Sequence, residues 1–409
     1  MKSAGLALLF PFLLTPIVSF LFRMVNATIA PDLIAEFNLG PAELGLITSA
    51  YFIGFGLTQL PMGVLLDRYG PRVVVIGLQL VGATGGALFV VADGQTGLLI
   101  GRFLIGVGMA GSVMAGLKAA NLWFERERLP AINALLFGMT GLGGMLATGP
   151  LAQLLKVIDW RTAMLMICVY CCAIAMISAM MIPRVVQTGP APRLLSQIAD
   201  IGRLYKSATF LRFAPVTVAS IAGYSSYQSL WAAIWLRDLE GFSRDAQAWA
   251  LFMLMGAMMI GNFAFGAINS RLRARGISTL NAALTAMALM ALLQAVIVLD
   301  IFAASLPIWI LMALCTSGPV AMYAVLSQRF PPELAGRTNT AINVLAFLGG
   351  FLVQSGIGFL LAQFPVSADG GYDPGGHRLA LAIVVAIQVA AFAWFFLSAR
   401  LDRSSPAVS

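Results

Sequence analysis

The chain has 409 residues, 60% of them hydrophobic and only 10% charged, with a mean hydropathy of +0.90 and a net charge of +8. That balance excludes a soluble globular domain. It also turns the basic excess away from nucleic acid, because Lys and Arg collect in alternate loops between apolar runs, the pattern that orients membrane helices.

A helical crossing needs roughly 20 apolar residues, so a chain of this length with short loops holds about twelve. Read in order, the apolar runs predict spans at 6–30, 44–66, 73–92, 97–122, 130–155, 162–182, 213–236, 246–270, 278–299, 306–327, 338–362 and 379–397. The first run follows Lys2 in the manner of a signal peptide. It is too long and lacks a small-residue cleavage site, so it reads as a span. With the N-terminus inside, seventeen Lys and Arg fall in inside regions. Only Lys156, Arg161, Arg237, Arg244 and Arg378 fall outside. The bias predicts that both termini are cytoplasmic.

Charges inside spans are costly and usually functional. Three are expected, all cationic: Arg23, Arg102 and Lys118. Asp32 and Asp300 sit at outer ends, and His377, the only histidine, reads as an outside-loop residue. Arg23 lies past the middle of the first span, toward the outside, with Asn26 on the same helix face. The second span offers Tyr51 and Gln59. It is followed by Gly63-Val-Leu-Leu-Asp67-Arg68-Tyr-Gly70-Pro-Arg72, which reads as a short charged loop with a tight turn at Gly70–Pro71. Asp67 is expected to accept hydrogen bonds from a neighbouring helix N-terminus. Arg68 and Arg72 are expected to pair with acidic groups of the other half.

This loop resembles the signature between the second and third spans of the major facilitator superfamily. The resemblance implies an all-α membrane fold, twelve helices in two six-helix bundles around a midplane cavity, and secondary transport without a cofactor or enzymatic step. It also implies internal repeats. Ala131-Ile132-Asn133 and Ala341-Ile342-Asn343 correspond in the two halves, and Gly266 to Arg275 is a degenerate second loop with Ser270 in place of Asp67. Residues 22–31 resemble the same region of organic-phosphate antiporters, where an Arg at the position of Arg23 binds phosphate. Those carriers add a second Arg in span seven. Here Gly223-Tyr-Ser-Ser-Tyr-Gln228 has no cation, which points to a monoanion rather than a phosphate dianion.

Arg102-Phe-Leu-Ile-Gly106-Val-Gly108 resembles the superfamily's fourth-span signature. That implies a hydrogen bond to span one, glycines that permit the approach, and a link to proton coupling. Lys118 lies roughly 24 Å further along the helix, near the inner surface. It sits in a run, Gly116 to Phe124, that resembles intraphagosomal amino-acid transporters. There it either meets an anion in the inward-open state or snorkels. In span five, Gly138-Met-Thr-Gly141-Leu-Gly143-Gly144-Met-Leu-Ala-Thr-Gly149-Pro150 resembles the glycine signature of superfamily exporters. Gly144, Gly149 and Pro150 imply close packing and a bend.

The loop 183–212 divides the spans six and six. It gives an N-terminal unit (1–183), a linker (184–212), a C-terminal unit (213–398) and a tail (399–409). Pro190 and Pro192 punctuate the linker. Leu194, Leu195, Ile198, Ile201, Leu204 and Tyr205 then recur at helical spacing, for a helix lying in the membrane surface or packed on the inner ends of the spans. Span seven carries Tyr224, Tyr227, Gln228, Trp231 and Trp235 at spacings that one helix face can present. Span eleven places Asn343 and Gln354 on one face, with Asn339 nearer the inside. The four cysteines, Cys168, Cys171, Cys172 and Cys315, fit neither a metal site nor a disulfide framework.

Together these readings predict a monomeric multi-pass carrier in a bacterial inner membrane. Its expected partners are an anionic or zwitterionic small molecule, a coupling proton or counter-anion, and the lipid bilayer, with no nucleic acid. An exporter of drugs or metabolites, or a transporter-like sensor, are the alternatives.

Overall fold

In a lipid core every backbone polar group must be satisfied within its own segment, and an apolar chain does this by forming helices. The computed structural model describes residues 2–184, 194–302, 304–366 and 370–399. The tail from residue 400, Pro190 and Pro192 lie outside the described residues. Named strands are absent among the described residues, where a single bridge joins Val366 and Tyr372.

Among the described residues the helices make twelve crossings, in two six-helix bundles. The first helix runs Lys2–Phe37, beyond the expected end at 30. Spans two and three run as helix from Pro41 to Val90, broken where Gly70 adopts φ 72° and ψ 167°. The expected ten-residue loop is therefore a reversal at one glycine. A side chain there would meet left-handed strain, which glycine avoids. Asp67, Arg68 and Arg72 sit on helix ends. The second copy reverses in the same way, at Gly276 with φ 80°, so most of Gly266 to Arg275 is helix rather than loop.

Span four breaks between Gln95–Met109 and Ser112–Trp123. Span five breaks between Leu129–Leu146 and Gly149–Leu154, just before Pro150. Span six is Trp160–Met181. Asp159 caps it by accepting from the Thr162 N–H at 2.6 Å, and that bond holds its carboxyl below the usual range. Span seven comprises Ala208–Ser226, a π turn at Tyr227–Trp231 and Ala232–Glu240. Spans eight to twelve are Arg244–Ala274, Thr279–Val298, Leu306–Leu314 with Ser317–Ser327, Ala335–Leu361 and Pro374–Leu397.

Successive crossings alternate, so the chain start, the Gly70 turn and the end of span twelve share one face, the terminal face. The turns at Asn38, Asp159, Gly241 and Asp373 share the far face.

Of the two placements open for the linker helix, Leu194–Lys206 packs on the terminal ends of the spans. Ile201 and Leu204 are buried. Asp200 pairs with Arg337 at 2.5 Å, and Tyr205 donates to the Ala341 carbonyl at 3.1 Å. Burial pushes the Tyr205 phenol up to about 12. Ile198 alone among the described apolar residues of that stripe stays exposed.

Candidate functional site

Arg23 sits deep between the two bundles. Its guanidinium carbon lies 5.2 Å from the ring centre of Phe20, 5.1 Å from Phe52 and 5.8 Å from Phe347, on spans one, two and eleven. Tyr51, Tyr224 and Tyr323 are within electrostatic reach, so spans two, seven and ten complete the surround. Part of the Arg23 surface stays open even at this depth. Its Nε has no hydrogen-bond partner, and among the described residues no carboxylate pairs with it. Burying a charge without a partner is expensive. Ring faces supply a partial substitute. A side chain so enclosed does not snorkel to a head group.

Arg102 is committed elsewhere. It is 1% exposed, donates from Nη1 to the Phe22 carbonyl at 2.7 Å and lies 5.4 Å over the Tyr51 ring. The hydrogen bond does run to span one. The glycines serve other neighbours: a Cβ on Gly106 would come 2.2 Å from the Tyr51 carbonyl of span two, and one on Gly108 would strike Gly82 of span three.

Lys118 meets no open anion site. It donates to Asp67 Oδ1 at 2.8 Å, so the partner of Asp67 is a lysine of span four and not a helix N-terminus. Arg72 donates to the Ala179 carbonyl of span six, within the same bundle, and Arg68 lies 5.3 Å over the Tyr69 ring. Among the described residues, neither arginine pairs with an acid of the other half as expected.

The span-seven stripe is divided by its π turn, which adds a residue to one turn and swings the side chains that follow. Tyr224 faces Arg23. Tyr227 stacks on Trp309 at 5.3 Å, and Trp235 packs edge-on against the same ring. Gln228 donates to the sulfurs of Met255 and Met258 in span eight. Trp231 donates to the Gln354 carbonyl of span eleven at 3.0 Å. One face does not present all five.

The remaining amides are mostly paired. Asn26 donates to Thr48 at 3.0 Å, Gln59 to the Ala110 carbonyl at 3.0 Å, Ser229 to Gln354 Oε1 at 2.8 Å, and Tyr323 to Asn343 Oδ1 at 2.9 Å. Asn343 therefore stands one contact away from the Arg23 surround, and Gln59 braces the break in span four. Tyr51 shares its hydroxyl with Ser19 at 3.3 Å.

The glycine face of span five forms the seam with span eight. A Cβ on Gly144 would come 2.6 Å from the Met255 sulfur, and one on Gly149 would come 2.9 Å from the Trp249 ring. At the far face Arg244 of span eight binds Asp32 and the Thr28 carbonyl of span one, and Lys156 pairs with Asp245 at 2.5 Å. These contacts tie the two bundles together at the far face.

Sequence reasoning missed Phe20, Phe52, Phe347 and Tyr323 around Arg23. Phe20 lies three residues before Arg23, on the same helix face, and was open to inference. The others come from distant segments and had no local signal. It also missed the far-face cluster in which Asp238, 1% exposed, accepts from Arg237 at 2.6 Å and pairs with His377 Nε2 at 2.9 Å. Span twelve begins at Pro374, so His377 is a buried helix residue and not a loop residue.

Twelve apolar crossings around an enclosed cation define a multi-pass helical membrane protein. Residues 12–354 match the family model described as Major Facilitator Superfamily, and the chain belongs to that superfamily. The chain is similar to the uncharacterised transporter YybO of Bacillus subtilis (strain 168), 31% identical over 151 residues, 37% of this chain and 35% of that one. It is 28% identical over 156 residues to the hexuronate transporter of the same organism, 38% of this chain and 36% of that one. The matched stretches thus span little more than a third of these relatives. A bacterial homolog to the human lysosomal transporter Spinster, inward-facing and unoccupied, superposes with a TM-score of 0.74 over 100% of both chains at 18% identity. That likeness concerns the fold alone.

Proposed function

We propose that the chain is a secondary transporter that carries a small organic anion, or an amino-acid-like solute with a carboxylate, across a bacterial inner membrane by alternating access. One observation carries the reading: Arg23 is a cation enclosed between the bundles, and among the described residues no carboxylate pairs with it. Such a centre attracts anions and repels organic cations. The hexuronate relative, whose named substrate is an organic acid, agrees with this.

The moving units are the six spans of 1–183 and the six of 213–398, joined by 184–212. The charge census supports a cytoplasmic terminal face, which makes the far-face ion pairs an outer gate. Reporter fusions after residue 409 and near Gly371 test this orientation. They are expected to read cytoplasmic and periplasmic, respectively. Among the described residues no carboxylate stands beside Arg23, so a coupled proton travels on the substrate or engages Asp32, and exchange for a counter-anion is the other route. A second reading, metabolite export, draws on the glycine face that span five sets against span eight.

The test is uptake of an organic-acid panel into proteoliposomes, with and without a pH gradient, by wild type and Arg23→Ala. The expected result is saturable transport of at least one acid, lost in the variant. Transport of organic cations that Arg23→Ala leaves intact would overturn the reading.

A further inference from the structure

The surround of Arg23 narrows the class of anion. We infer that the site takes a monocarboxylate with an apolar body, aromatic or branched aliphatic, in preference to a polyhydroxylated acid such as a hexuronate. The inference rests on the proposed role of Arg23 and goes beyond it.

The charge count sets the first limit. Arg23 keeps an Nε without a hydrogen-bond partner, and among the described residues no carboxylate pairs with it. Arg102 is fully enclosed and already bonded to the Phe22 carbonyl, and Lys118 is neutralised by Asp67. One fixed charge matches one carboxylate, and Arg binds a carboxylate through two parallel N–H bonds.

The second limit is what surrounds that charge. Phe20, Phe52 and Phe347 stand within 5.8 Å of the guanidinium. Phe55 extends the apolar wall, stacked on Phe347 at 4.1 Å. A carboxylate held by Arg23 projects its body among these rings. Apolar bodies gain there, because ring-lined surface leaves water only for an apolar partner.

The third limit is the supply of hydrogen-bond partners. Two of the tyrosines around Arg23 are already bonded: Tyr323 to Asn343 and Tyr51 to Ser19. Tyr224 keeps a buried hydroxyl without a partner. A hexuronate brings several hydroxyls that each lose water on entry, and an unsatisfied buried hydroxyl is penalised more than a satisfied one is rewarded. Of the three tyrosines around Arg23, Tyr224 alone has an unpartnered hydroxyl, and one phenol does not serve them. It does serve a single polar atom near the carboxylate, such as an α-hydroxyl or α-keto oxygen.

The experiment is ligand-induced thermal stabilisation of the purified full chain with four probes: phenylacetate, 4-methylpentanoate, glucuronate and neutral phenylacetamide. Phenylacetate and 4-methylpentanoate are expected to half-saturate at concentrations at least tenfold below glucuronate, with no shift from phenylacetamide. Phe347→Ser is expected to shrink that tenfold gap while Arg23 still selects anions. Glucuronate binding as well as or better than the apolar acids overturns this inference and leaves the transporter reading standing. The same holds if neither apolar acid shifts the protein while other acids of the transport panel do. A shift by phenylacetamide equal to that by phenylacetate removes the role of Arg23, and the proposed function falls with it.

Discussion

Arg244 of span eight grips Asp32 of span one across the seam between the bundles, with both guanidinium Nη atoms on the carboxylate. Lys156 and Asp245 form a second crossing pair nearby. Both pairs are partly exposed, so each contributes about 0.5 kcal/mol, and together they bias the closed far face about fivefold. Asp32→Asn with Asp245→Asn is expected to speed labelling of Ala27→Cys, which lines a small cavity beside Arg244. The readout is the rate with an impermeant maleimide in a chain whose four native cysteines are Ser. An unchanged rate means that the pairs do not gate.

Asp67 and Lys118 belong to one bundle, so they form a brace rather than a latch between bundles. Asp67→Asn and Lys118→Met are expected to lower stability by similar amounts, and the double variant to be no worse than either. The coupling energy should be about 0.5 kcal/mol, since both groups are about a third exposed. Asp67→Asn is also expected to slow turnover while substrate binding persists. A coupling energy of zero in the thermal-melt cycle removes the brace.

The outlines of the fold were legible because apolar runs of spanning length are local. The limits of that reading are equally physical. The π turn at Tyr227–Trp231 depends on packing against spans eight, ten and eleven, none of which is adjacent in sequence. Lys118 lies 51 positions from Asp67, and neither residue carries a mark of the other. Polar Gly371-Tyr372-Asp373 before span twelve looks like open loop. Yet Tyr372 donates its N–H to buried Asp238 at 3.1 Å and draws His377 inside. Arg23 stood out as a charge in an apolar run, whereas the rings around it come from segments too far apart for spacing to connect.

Gly143 and Gly144 are neighbours with different duties. A Cβ on Gly143 would come 2.2 Å from the Ile17 carbonyl, within one bundle, where backbone cannot yield. Gly143→Ala is expected to cost about 2 kcal/mol of stability. At Gly144 the obstacle is the flexible Met255 side chain across the seam. Gly144→Ala should leave the melting temperature near wild type and slow transport instead. Equal melting losses in both would show that the seam is as rigid as the bundle interior.

Asp238 is almost fully buried and accepts from Arg237, His377 and the Tyr372 N–H. Its loss leaves buried donors unpaired, so Asp238→Ala is expected to destabilise by about 3 kcal/mol. Asp300, 60% exposed and paired only with Arg378 among the described contacts, serves as the contrast. Asp300→Ala should stay within about 0.5 kcal/mol of wild type. Denaturation midpoints compare the two, and a small effect at Asp238 would mean that water satisfies the orphaned donors.

Arg23 and Arg102 are both enclosed cations, and their variants separate a binding charge from a structural one. Arg102 has a partner: its bond to Phe22 ties span four to span one, and a charged hydrogen bond of this kind contributes about 2 kcal/mol. Arg102→Ala should therefore melt earlier whether or not ligand is present. Arg23 has ring faces but, among the described residues, no acceptor for its Nε, so removing it relieves a desolvated charge as well as deleting packing. Arg23→Ala should melt within about 1 kcal/mol of wild type when empty. With ligand the order reverses. A bound anion at a hundred times its Kd stabilises wild type by about 2.7 kcal/mol, and Arg23→Ala should gain none of it. Arg23→Lys should gain only a part, because the ammonium lacks the planar fork that meets both carboxylate oxygens. Wild-type-like stabilisation of Arg23→Ala by the transported acid would falsify the binding role. An empty Arg23→Ala that melts as early as Arg102→Ala would make Arg23 a packing residue, since a charge awaiting its partner adds little to the empty protein.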